Sequence, residues 1–315
     1  MLRWLLISTA LLVGGHARAE PSAHDLDWTD ESRQRAVPVR LYWPAGTDTK
    51  PVPLVVFSHG IGGSRLGYSY LGEYFASQGM ASLHLQHVGS DRSLWGGNPL
   101  SLVGRLQGAA QEHEALERVK DLSYALDRLL AHQEFGGRID RARIAAAGHS
   151  YGANTVMLAS GASVLREGRR LNLRDPRIKA AVLLSAPPFY GEADTRAILQ
   201  SVTLPTLHVT ATEDIIRIPG YYSPASDRVA VYEAVGSPFK ALAVFEGGSH
   251  GIFTSRGGSG GAALNPRVKS ATRELALAFL QRVFEGNSEA LARWPETYRA
   301  LLARWTSPGT TAAAR

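Results

Sequence analysis

The chain has 315 residues, 44% of them hydrophobic, with 34 Lys and Arg against 28 Asp and Glu, a formal net charge of +6 and no cysteine. Its length and apolar share suit one large α/β domain, and the lack of cysteine excludes disulfides, thiolate metal sites, a thiol nucleophile and a lipid-modified N-terminal cysteine. The positive residues are scattered and no helix-turn-helix, zinc-finger or RNA-binding signature occurs, so no nucleic-acid partner is expected.

The first stretch, 1–19, reads as a signal peptide: Arg3, then an apolar run from Trp4 to Val13, then the small-x-small site Ala17-Arg18-Ala19. The run is too short to span a bilayer, which takes roughly 20 apolar residues. An exported protein, periplasmic or secreted, with no lasting membrane insertion is therefore expected. From Asp25 to Pro44, apolar and polar residues alternate between turn-rich segments, which predicts two leading antiparallel strands. Val52 to Phe57 is a continuous apolar run, as expected of a strand buried on both faces. It delivers the loop Ser58-His59-Gly60-Ile61-Gly62-Gly63.

Tyr68 to Gln78 predicts a helix ended by Gly79, and Met80 to Leu85 another strand. Val88 to Gln111 is long, rich in Gly and Ser and contains Trp95, and it reads as a loop that lines or covers a pocket. Glu112 to Gln133 carries Ala115, Leu116, Val119, Leu122, Leu126, Leu129 and Leu130 at the spacing of an amphipathic helix laid on a sheet. The run to Ala147 is then a strand, and Asn154 to Ala162 a helix. Leu165 to Arg177 reads as a basic, solvated excursion. Strands are expected at 179–184, 204–210 and 240–245, and a closing helix over 268–284. The predicted organisation is a signal peptide over 1–19, a catalytic domain over 20–287, and a C-terminal helical extension and tail over 288–315.

Between the elbow strand and its helix lies Gly148-His149-Ser150-Tyr151-Gly152, a Gly-x-Ser-x-Gly pentapeptide. A serine at a tight strand-to-helix turn needs small residues two positions before and after it, and the helix that follows aims its first N–H groups at a developing oxyanion. Gly247 to Gly251 and Gly257 to Gly261 also fit the pattern, but only Ser150 has a strand before it and a helix after it. The alternation of strand and helix predicts a mostly parallel central sheet with helices on both faces, with sites at the carboxyl ends of its strands. Ser150, Asp214 and His250 fall at such ends in that order. Together they form the trio that acyl transfer requires: a hydroxyl, an imidazole to take its proton, and a carboxylate to hold the imidazole. Glu213 and Asp194 are the other candidates for the acid. The backbone N–H groups of Ile61 and Tyr151 are the candidate oxyanion donors, and His149, Trp95, Phe189 and Tyr190 the candidate pocket residues.

On these residues the chain resembles the α/β-hydrolase family over roughly 25–287. The Trp28-Thr29-Asp30 and Pro38 to Tyr42 segments, the His59-Gly60 loop and the elbow are similar to exported bacterial esterases of the dienelactone-hydrolase-like group, related to platelet-activating-factor acetylhydrolases and cutinase-like polyester hydrolases. That resemblance implies the α/β-hydrolase fold, an acid in the Ala211-Thr212-Glu213-Asp214 turn, a base at His250, and no cofactor or metal. True dienelactone hydrolases use a cysteine, so Ser150 points instead to a carboxylic ester cleaved through a serine acyl-enzyme. The substrate expected is a small or polymeric ester with short acyl groups, held in a shallow or open cleft. The alternatives are a serine peptidase of prolyl-oligopeptidase type, or a non-catalytic binding protein on a hydrolase scaffold.

Overall fold

A computed structural model describes residues 20–46, 50–218, 221–255 and 261–309; the expected signal peptide over 1–19 lies outside them. The chain opens with the antiparallel pair β1 (Ser22–Asp30) and β2 (Arg35–Trp43), the two leading strands that the alternation predicts. Then follow β3 (Val52–Ser58), α1 (Ser69–Ser77) and β4 (Ala81–Leu85), and after a long connection α2 (Leu102–Ala109), α3 (Glu112–Leu130), β5 (Ile139–His149) and α4 (Tyr151–Ala159). The hairpin β6 (Ser163–Arg166) and β7 (Arg169–Asn172) precedes β8 (Ala180–Leu184), α5 (Thr195–Leu199) and β9 (Thr206–Glu213). A second hairpin, β10 (Ile216–Ile218) and β11 (Tyr221–Ser223), leads to α6 (Ser226–Ala234), β12 (Lys240–Ser249), α7 (Gly261–Glu285), α8 (Glu289–Thr297) and β13 (Leu302–Thr306).

Nine strands form one sheet in the order β1-β2-β4-β3-β5-β8-β9-β12-β13. The six from β4 to β12 are mutually parallel, and antiparallel strands flank them on both edges. This is the α/β-hydrolase fold. The period-two alternation of a strand splits its side chains between two apolar layers. Leu54 and Val56 of β3 face the layer built with α3 and α4, whereas Val55 and Phe57 face the one built with α1 and α7. From β3 the chain steps to β4 on one side and then returns to β5 on the other. Loops leaving β3 and β5 therefore diverge at a topological switch point, where α/β sheets open a crevice. That crevice holds Ser150.

Three segments differ from the sequence reading. Residues 88–111 are not an irregular loop: Asp91 caps a 3₁₀ turn over Arg92–Trp95, Asn98 caps another over Pro99–Ser101, and α2 follows. Leu94, Leu106 and Ala109 bury a small apolar cluster against Ile61, which fixes this segment as a wall. The basic excursion at 165–177 begins as the β6–β7 hairpin, turned by Glu167 and Gly168, both at positive φ. The C-terminal segment is no appendage. Leu291, Trp294 and Leu301 are buried in the α7 layer, Trp294 donates from its indole to the Ala271 carbonyl at 2.9 Å, and β13 completes the sheet beside β12. No helix among the described residues is long and apolar enough to cross a membrane.

Candidate active site

The sharp turn at the end of β5 is imposed by backbone packing. Ser150 sits at φ 55 and ψ −122, a conformation that costs free energy for any residue with a side chain. Its N–H prolongs the pairing of β5 with β8 by bonding the Leu184 carbonyl at 2.9 Å. A Cβ on Gly152 would stand 1.9 Å from the Ser58 carbonyl oxygen, and one on Gly148 would stand 2.3 Å from that of Gly152. Only glycine fits at either place. The elbow is thus clamped against the loop leaving β3, with Ser150 held at the floor of a cavity.

His250 follows β12, and its Nε2 lies 2.8 Å from Ser150 Oγ. Its Nδ1 lies 2.6 Å from Asp214 Oδ1, at the turn after β9. Because a carboxylate only accepts, Nδ1 carries the hydrogen, and Nε2 is left to accept from the Ser150 hydroxyl. Asp214 is fully buried. Burial by itself would raise its carboxyl, but the hydrogen bond and charge of His250 and the charge of Arg228 outweigh it and hold the group far below the usual carboxylate range. Thr210 donates to the other carboxylate oxygen at 2.7 Å, and the Arg228 Nε stands 3.5 Å from Oδ1. Of the other acid candidates, Asp194 instead caps α5 by accepting from the Ala197 N–H at 2.8 Å. Glu213 is exposed on the rim.

Ile61 lines the same cavity as Ser150, Tyr151 and His250. Its loop is pinned by the Gly62 N–H, which donates to the Ser90 carbonyl at 2.8 Å, and by the Gly63 N–H, which donates to the Gly60 carbonyl at 3.0 Å. A Cβ on Gly60 would lie 3.3 Å from that of Ser150, so this loop and the elbow are in direct contact.

Two of the four expected pocket residues are elsewhere. Trp95 lies over Gly62 with its indole N–H on the Gly62 carbonyl at 2.8 Å, outside the cavity wall. The close contact of its ring with Gly62 makes it a brace for the loop. His149 is buried behind His250: its Nδ1 accepts from the Tyr68 hydroxyl at 2.8 Å, and its Nε2–H donates to the His250 carbonyl at 3.0 Å. It fixes the backbone that carries the base. Phe189 and Tyr190 do line the cavity, together with Leu106, Leu158, Ile216 and Tyr221. At about 370 Å³ and mostly apolar, the cavity is not the shallow or open cleft expected, because α2 and the β10–β11 hairpin wall it. Beyond the spacing rules lay Tyr68, Thr210 and Arg228, which belong to segments where no motif flags them.

The second strand, β2, with β3, α1 and β4 falls within a match over residues 32–95 to the family model of platelet-activating factor acetylhydrolase, isoform II. A platelet-activating factor acetylhydrolase from Cavia porcellus is 28% identical over 150 residues, covering 38% of this chain and 34% of that protein. Over these stretches the chain is similar to platelet-activating factor acetylhydrolases, and its fold is the α/β-hydrolase fold. The chain spans about a third of the length of the relative it matches. The matched family region ends before Ser150, Asp214 and His250, so for these three residues the geometry above is the direct observation.

Five buried imidazoles bear on the stability of this fold. Burial pushes His59, His84, His87, His149 and His208 below the ordinary histidine value, His84 to about 4 and His149 and His208 to about 3. Neutral when folded, they bind protons near pH 6.5 once unfolded. Their effect on stability is absent above about pH 6.5 and becomes destabilising as pH falls from there toward the folded values, by about 1.4 kcal/mol per pH unit for each histidine. The urea midpoint is accordingly expected to be clearly lower at pH 5.5 than at pH 7.5, a window still above the carboxylate range. Equal midpoints would mean that these imidazoles are not held neutral.

Proposed function

We propose that this chain is a serine carboxylic-ester hydrolase in which Ser150 is the nucleophile, His250 the base and Asp214 the acid that orients it. The observation that carries the reading is the continuous relay from Ser150 Oγ through His250 to a buried, charged Asp214, with links of 2.8 and 2.6 Å. In the first half-reaction Ser150 Oγ bonds to the ester carbonyl carbon while its proton passes to His250 Nε2. The carbonyl oxygen becomes an anion facing the N–H groups of Ile61 and Tyr151. The anion collapses, the bond to the alcohol oxygen breaks, and the imidazolium returns the proton to the departing alcohol. Water then repeats the sequence on the acyl-enzyme and frees the acid. The acetylhydrolase named in both matches is acyl chemistry of the same kind.

The mostly apolar cavity supports a small ester with an apolar arm more than a polymer laid across an open cleft. With p-nitrophenyl esters of graded acyl length, kcat/KM is expected to rise by up to about fourfold per methylene, the equivalent of about 0.8 kcal/mol, until the cavity is filled. A peptide anilide is expected to be a poor substrate. Ser150→Ala is expected to lose about four to six orders of magnitude in kcat. A Ser150→Ala enzyme with a tenth of the normal rate, or a preference for the anilide, would refute the reading.

We also propose export through a leader over residues 1–19, on the strength of Arg3, the Trp4 to Val13 run and the Ala17-Arg18-Ala19 site. Mass spectrometry of the protein from expressing cells is expected to find Glu20 as its first residue; a retained Met1 to Ala19 would count against export.

A further inference from the structure

Arg118, in the middle of α3, is fully buried and has no part in the relay described above. A guanidinium withdrawn from water is costly unless its donors are met, and this one meets them in an unusual way. Nη2 donates to the His59 carbonyl and to Ser58 Oγ, the latter at 3.1 Å. Nη1 donates to Ser90 Oγ at 2.8 Å, and Nε to Thr155 Oγ1 at 2.9 Å. The plane of the group stands over the Tyr151 ring at 4.4 Å from its centroid. Among the described residues it makes no direct carboxylate contact. Glu114 is reached through Ser90, whose hydroxyl donates to it at 2.9 Å, and Asp121 through the Ser58–His87 chain. Burial lowers the guanidinium, but only to about 10, so it is a cation at neutral pH.

The partners of Arg118 come from three segments, the ends of β3 and β4 and the start of α4, and they hold two loops. His59 and Ser58 lead directly into Ile61, and Ser90, through its carbonyl, holds the Gly62 N–H. Thr155 returns a bond to the Tyr151 carbonyl at 3.2 Å, and the Tyr151 ring itself takes the cation. The backbone N–H of Tyr151 opens α4 on one side, and that of Ile61 lies in the β3 loop on the other. One rigid fork therefore touches both carriers of the oxyanion donors, and a lysine could not copy it, having a point charge on a flexible stem.

We propose that Arg118 is a positioning residue that sets the spacing of the Ile61 and Tyr151 N–H groups and so the stabilisation of the oxyanion; this rests on the ester-hydrolase reading above. A guanidinium that merely filled the core would affect stability while leaving each folded molecule with its normal kcat. A positioning role lowers kcat and the affinity for an anionic tetrahedral adduct, while substrate binding in the cavity is spared.

The test compares Arg118→Met, Arg118→Lys and Thr155→Val with the parent and with Ser150→Ala. It measures kcat and KM on a p-nitrophenyl ester, and inhibition by an alkyl boronic acid and by an alkyl alcohol of equal length. Ser150 Oγ adds to the boron with its proton passing to His250, which makes a tetrahedral anion; the alcohol fills the cavity without forming one. Arg118→Met is expected to lower kcat about a hundredfold, in the range of losing one oxyanion donor, with KM within about threefold. Boronic-acid affinity is expected to fall in parallel while alcohol affinity holds. Arg118→Lys is expected to lose about tenfold, and adding Thr155→Val to it little more, because both changes cut the same tether. Should Arg118→Met fail to fold, Arg118→Lys and Thr155→Val decide. Folded Arg118 variants with the parent's kcat and boronic-acid affinity would overturn the proposal. Were that seen beside an inactive Ser150→Ala, the positioning role alone would fall; an active Ser150→Ala would bring down the hydrolase reading itself.

Discussion

The close crossing of two backbones at Gly152 constrains everything around the site. With the Ser58 carbonyl where a side chain would begin, the elbow after β5 can approach the loop after β3 only through glycine. That approach brings the Ile61 loop and the start of α4 together at Ser150, which sits in strained backbone. Three supports hold the strain in place. The Ser150 N–H is kept by the Leu184 carbonyl, the β3 loop is kept by Ser90 and Trp95, and Arg118 spans the gap beneath.

Charge is arranged by the same crowding. Asp214 is taken out of water yet kept ionised by His250 and Arg228, and an ionised carboxylate in that place dictates which nitrogen of His250 bears hydrogen. Histidines that surround the site are treated in the opposite way. His59, His87 and His149 are buried so deeply that they stay neutral, and they act as hydrogen-bonding struts in place of charges. The nucleophile thus faces one imidazole in contact with solvent, while its neighbours are held to structural work.

What the sequence disclosed follows from which physical rules are local. Continuous apolar runs betrayed β3 and β8 because a strand covered on both faces needs no polar side, and the Gly148 to Gly152 pentapeptide was legible because its glycines answer to short-range sterics. The β6–β7 hairpin escaped notice since its two-residue turn is Glu167-Gly168, with glutamate at positive φ where asparagine or aspartate is the usual signal. β13 is a short edge strand with Arg304 and Trp305, whose partner β12 lies far away in sequence. The cavity was misjudged because its apolar wall is gathered from α2, α4, the Pro187 to Tyr190 turn and β10–β11, segments far apart in sequence that only the fold brings together. Arg118 did leave a trace. It stands three residues after Ala115 and four before Leu122, on the stripe that the helix buries, where a cation demands explanation.

The most direct test of the account is covalent. An alkyl fluorophosphonate reacts when a serine oxygen bonds to phosphorus and fluoride leaves, and it does so readily only where a base and an oxyanion site converge on that serine. Peptide mapping of the labelled protein by mass spectrometry is predicted to find the adduct on Ser150 alone, and to find almost none in His250→Ala. An adduct on Ser249 or Ser259 in place of Ser150, or undiminished labelling without His250, would contradict the account.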